Sequence, residues 1–138
     1  MAGVVTNKGE ERGLAFTVGK SGYTVRTLIL KLYKNDITPA QTDVVGAYTE
    51  ATFSGYAAVP LASGDWTLSG TTPSQAVAGL QNFTSDMDQA AQDIYGYYLV
   101  SDTDDELIAA ERFSNAPLVI QNNLDQIGVS AKITLDNL

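Results

Sequence analysis

The sequence predicts an all-β fold: a single antiparallel β-sandwich, jelly-roll or immunoglobulin-like, with an extended N-terminal arm and at most one short helix. Three observations predict it. Short apolar runs recur along the chain with turn residues between them. Thr, Ser, Tyr, Val and Gly are prominent, as strands and turns require. Only one stretch offers a helical turn, and it is too short to be stable alone. At 138 residues the chain is of single-domain size and can bury a core without disulfides or a structural metal. The expected division is an arm over residues 1–22 and a sandwich over 23–138.

The arm holds five of the twelve glycines, and its apolar residues come only as Val4-Val5 and Leu14-Ala15-Phe16. It reads as extended chain that either frays or orders on a partner surface. Tyr23 to Lys34 is the clearest strand: Leu28, Leu30 and Leu32 share one face, and Ile29, Lys31 and Tyr33 the other. Asn35 to Pro39 ends it with turn chemistry. Residues 40–50 form a loop around Gly46. Ala51 to Leu61 alternates as a further strand, in which Gly55 signals a bulge or a close backbone approach and Pro60 an edge or an end. Trp66, the sole tryptophan, sits in a short strand and is expected to plug the core. Gln75 to Phe83 is the next strand. Ser85 could cap one helical turn through residues 87–92. Residues 93–113 read as a hairpin turning at Ser101 to Asp105, and Ala116 to Gln121 and Ile127 to Leu135 complete the set.

Composition removes several chemistries. The chain has no Cys and no His, which excludes thiol nucleophiles, Cys/His zinc sites, Ser-His-Asp triads and imidazole acid–base catalysis. A net charge of −8 with only eight Lys and Arg leaves no basic footprint for nucleic acid and would repel an anionic membrane. The N-terminus lacks an apolar run of signal-peptide length, and no stretch reaches transmembrane length. A soluble product made in the cytoplasm is expected.

The polar clusters are weak as sites. Asp102, Asp104 and Glu106 have the spacing that opens a calcium loop, but Leu107 stands where its glycine belongs and Phe113 where its bidentate Glu belongs. A solvated hairpin turn is the ordinary reading. Asp86 and Asp88 could pair in space with this cluster as glycosidase carboxylates do, with nothing beyond their presence to support it. Tyr95, Tyr97 and Tyr98 fall within four residues. Alternation sends Tyr97 and Tyr98 to opposite faces, so at least one leaves the main core face, either to pack at the sheet rim or to contact a protein or glycan.

One series of residues goes further than these patterns. Leu30 to Pro39 (LKLYKNDITP) is followed by Tyr48 to Tyr56 (YTEATFSGY), by Trp66 ten residues later, and by Tyr95-Gly96-Tyr97-Tyr98 and Ala110-Glu111-Arg112-Phe113. This series, covering residues 26–120, resembles small virion proteins of tailed double-stranded-DNA bacteriophages, some of them capsid decoration (cement) proteins. The first two motifs together carry most of the specificity, and the arm lies outside the resemblance. It implies a structural virion protein, not an enzyme, with no catalytic, metal or cofactor-binding residues to carry over. Its expected partners are the major capsid protein on the outer shell and further copies of itself, often as a trimer. The residues chosen as partner contacts are Val4, Val5 and Phe16 of the arm, with Tyr97 and Tyr98. A tail- or fibre-associated module that binds host glycans or other virion proteins is the alternative, and a carboxylate-dependent glycosidase the third reading.

Overall fold

The structure, a computed structural model, describes residues 3–20, 22, 26–69 and 74–135. Its main element is a five-stranded antiparallel sheet, built in spatial order from β1 (Val4–Val5), β9 (Leu107–Arg112), β8 (Gly96–Ser101), β2 (Leu28–Tyr33) and β3 (Val59–Leu61). Three short antiparallel ladders form the opposing layer. They are β10 (Leu118–Ile120) with β7 (Gln92–Ile94), β11 (Gln126–Val129) with β6 (Gln81–Thr84), and β12 (Lys132–Leu135) with β5 (Ser74–Ala78) and β4 (Trp66–Ser69). The result is an all-β, sandwich-like fold with, among the described residues, one α-helix, α1 (Asn7–Thr17), and two single-turn 3-10 helices.

The core follows from strand alternation. Leu30, Leu32, Tyr97 and Leu99 point to one face of the large sheet, where Phe83, Ile94, Ile120 and Ile127 of the ladders meet them. Each fully buried aliphatic side chain contributes about 2 kcal/mol of transfer free energy. Tyr33, Tyr98, Val100, Leu107 and Ala110 point to the other face and form a second cluster with Tyr48, closed by Ile37, Val45 and Ala47 of the long loop after β2. The Tyr48 and Tyr98 rings stack at 5.2 Å, and Tyr33 meets Tyr48 edge-on at 5.0 Å.

Several expectations hold. β8 and β9 form the hairpin expected over 93–113, with the acidic segment in its turn. Pro60 lies in β3, which ends the sheet, so its missing N–H costs no ladder bond on the open side. Gly55 has φ of +90°, and a Cβ there would stand 2.5 Å from the Thr84 carbonyl oxygen, which is the close backbone approach the sequence signalled.

Other expectations are corrected. The N-terminal segment is not an extended arm: residues 7–17 are helical, and Val4–Val5 is a strand of the main sheet. Residues 87–92 form no helical turn. The Ser85 hydroxyl donates to the Met87 carbonyl at 2.8 Å and accepts from Gln89 Nε2 at 2.7 Å, closing a loop instead. Within 51–61 only Val59–Leu61 is strand, because the turn at Gly55 breaks the run. Trp66 is half-buried at the margin of the core and does not plug it. The strand expected to begin at Tyr23 begins at Leu28, and Tyr23 to Val25 lie outside the described residues.

Candidate functional site

The site is built where α1 lies against the edge of the main sheet. Helix α1 starts at Thr6, whose Oγ1 accepts from the Gly9 N–H at 3.1 Å, an N-cap bond. The same hydroxyl donates to the Leu107 carbonyl at 2.5 Å, and the Thr6 N–H donates to the Ile108 carbonyl at 3.0 Å. Those carbonyls are presented by an irregularity in the β8–β9 ladder: Leu99 pairs with Ala109 and Val100 with Leu107, leaving Ile108 as an extra residue on β9. Gly9 lies directly over this bulge, and a side chain there would run into the Ile108 carbonyl. An eleven-residue helix with two glycines is marginal in isolation. Docking on the bulge is what stabilises it.

A clamp fixes the helix's middle. The Arg12 guanidinium reaches the β8–β9 turn, pairing with Asp104 and, through Nε at 2.6 Å, with Glu106. Ion pairs at the surface are worth little singly, but a guanidinium held between two carboxylates defines geometry. The acidic segment is therefore a tether for α1. Among the described residues no group of three or more His, Cys, Asp or Glu could hold a metal ion, and Asp88 is engaged in accepting the Asn123 N–H at 2.8 Å.

Between the C-terminal half of α1 and the end of β12 runs an open groove of about 940 Å³. Val5, Leu28 and Ile108 lie along it, with Leu14 and Phe16 on the helix side and Leu135 on the β12 side. Leu14 is 69%, Phe16 57% and Leu135 55% exposed, so the rim of the groove is apolar and uncovered. Arg12 and Arg26 bring charge to it. The Arg26 Nε is shielded from solvent and has no hydrogen-bond partner among the described residues.

Val4, Val5 and Phe16, chosen from the sequence as partner contacts, all line this one groove. Val5 is a wall residue, largely buried, and Phe16 is open. Tyr97 and Tyr98 are corrected. They are 4% and 2% exposed, and neither offers a surface. Tyr97 Oη donates to Glu111 Oε2 at 2.8 Å and accepts from the Lys132 N–H at 3.0 Å, stitching β8 to β12. Burial holds the Tyr97 and Tyr98 hydroxyls protonated well above the usual tyrosine range. Arg12, Leu14, Arg26 and Leu135 were missed. The helix signal was present in the sequence, as Thr6 before a segment with Glu10 in its first turn. The facing strand lies more than 100 residues away and could not be paired with it from spacing.

No family model matches this sequence, and no curated protein or solved structure matches it.

Proposed function

We propose that this chain is a structural protein of a phage virion, of the capsid-decoration type, and that it docks through the groove beside α1. The residue series over 26–120 supports the virion reading. The observation that carries the docking surface is the exposure of Leu14, Phe16 and Leu135 around one groove, an arrangement that marks interaction surfaces on otherwise polar proteins. The mechanism is mass action: a protein that binds only the assembled shell stabilises that shell. Trimerisation, implied by the resemblance, would add avidity to a modest contact.

The alternative, a tail or fibre module, differs in location. Its glycan-binding form loses support, because the stacking surface it needed from Tyr97 and Tyr98 lies inside the protein.

Cosedimentation with DNA-filled heads lacking this protein tests the proposal. Saturation at hundreds of copies per head is the expected result, and Phe16→Asp should abolish it while leaving the circular dichroism spectrum unchanged. Only a handful of copies would move the protein to the tail, and no binding to any particle component would end the virion reading.

A further inference from the structure

We propose that β1 and α1 are exchanged between copies of this chain, so that the β9 surface of one molecule is filled by the N-terminal strand and helix of another. The proposal goes beyond the virion reading. It concerns how copies join one another, and it does not depend on the particle they bind.

The segment is a closed unit docked on a distant receptor. The end of α1 is closed by its own residues: the Val18 N–H donates to the Leu14 carbonyl at 3.0 Å and the Lys20 N–H to the Ala15 carbonyl at 2.9 Å. Its ties to the body reach far along the chain. Val4 and Val5 pair with Ala110 and Ala109. Thr6 bonds to the Leu107 and Ile108 carbonyls, and the Asn7 N–H donates to the Gln41 carbonyl at 3.0 Å. Arg12 pairs with Asp104 and Glu106. Every one of these contacts is equally available when the segment comes from a second copy, and exchange of an identical element is a low-cost route to an oligomer.

Neither half of this contact stands well alone. An eleven-residue helix with two glycines is marginal once undocked. With the segment in place, Leu107, Ile108 and Ala109 of β9 are 3%, 8% and 3% exposed. A segment that lets go leaves this apolar strand edge for the next segment that reaches it, its own or a neighbour's.

A short link gives a molecule's own segment an effective concentration of the order of millimolar. The exchanged form therefore needs contact surface that the closed form lacks. Leu14 and Val18 supply it. They stand four residues apart, on one side of the helix end, and are 69% and 70% exposed. The chain leaves α1 at Val18, so in an exchanged pair the second body is attached at this end, and the new contact between copies forms beside these two side chains. In the closed molecule they stay in water.

The chain has no cysteine, so a disulfide can report which copy the segment sits on. Val5 and Ala109 stand opposite each other across β1 and β9, at the close spacing of cross-strand neighbours. Chains carrying Val5→Cys and chains carrying Ala109→Cys are expressed together, purified and oxidised. The expected result is a bond joining the two kinds of chain, located by mass spectrometry. A chain carrying both substitutions should run as linked oligomers on a non-reducing gel. Bonds only within single chains would overturn the proposal, even if an oligomer were present, since the copies would then touch without exchange. Sedimentation velocity of the native chain, from micromolar to millimolar protein, needs no variant: a dimer or trimer is expected, and a monomer throughout would overturn the proposal. Leu14→Lys with Val18→Lys should return the oligomer to monomer while the circular dichroism spectrum stays unchanged. An oligomer indifferent to that change would also refute it, because the exchanged form would lack the surface that lets it compete.

Discussion

Gly55 shows how one residue constrains two segments at once. Its φ of +90° favours glycine, and a Cβ there would meet the Thr84 oxygen and, at 2.9 Å, the Asp86 nitrogen. Gly55→Ala should therefore destabilise the fold by about 2–3 kcal/mol, read as a lower urea midpoint with unchanged slope. Tyr97 is the second such residue. Tyr97→Phe leaves the Lys132 N–H without its acceptor and removes a donor from the Glu111 carboxylate. The expected loss is about 1–3 kcal/mol, also measurable by urea unfolding. Both residues were visible in the sequence, Gly55 with the right physical reason. Tyr97 was given the wrong role, because alternation says which face a side chain takes and not what covers that face.

At the scale of elements, the helix and the β9 bulge hold each other. Thr6→Ala removes the cap and the bond to Leu107, and should cost about 1–2 kcal/mol. Native-state amide exchange should speed up first in α1, because a short docked helix is a low-stability unit. An N-terminal deletion through residue 16 would remove more than an arm. An extended arm could be removed without harm to the fold, but this segment contributes a strand to the main sheet, covers β9 and receives the Asp104–Glu106 clamp. Its removal should destabilise the whole domain. Loss of particle binding by that deletion would therefore not isolate the docking surface, whereas Phe16→Asp would.

Across the whole molecule, the titratable groups set two pH limits. Burial raises the hydroxyls of Tyr33, Tyr48, Tyr56, Tyr97 and Tyr98, and Tyr33 is pushed up to about 12. Unfolded tyrosines ionise near ~10. The folded chain therefore holds protons that the unfolded chain releases. Stability from this source is full below pH ~10 and is lost as the pH rises from there through the folded values. Unfolding by urea at a pH of ~11 should show a lower midpoint than at ~8, with a rise in tyrosinate absorbance across the transition as these five hydroxyls are exposed. On the acid side, the Asp125 carboxylate accepts the Asn122 N–H at 2.7 Å and the Gln121 N–H at 2.9 Å. These bonds hold its carboxyl below the usual range. Its contribution is present above pH ~4 and fades as the pH falls through the depressed folded value. Asp125→Asn should flatten that part of the acid profile.

What the sequence by itself determined is the fold class, the hairpin over β8 and β9, the two-faced character of β2 and the special backbone at Gly55. Each is a local consequence of side-chain period, turn chemistry or the freedom of glycine, and needs no distant partner. Only the tertiary structure decided that residues 7–17 are helix. Their own propensity is weak, and the stabilising contacts come from carbonyls on β9, about a hundred residues away in the chain. The tertiary structure also decided that Tyr98 is interior, because the cover over the second face is a loop with no strand period. It decided the groove as well: Phe16, Arg26 and Leu135 are unremarkable one at a time, and become a surface only when a helix and a strand from opposite ends of the chain are brought side by side.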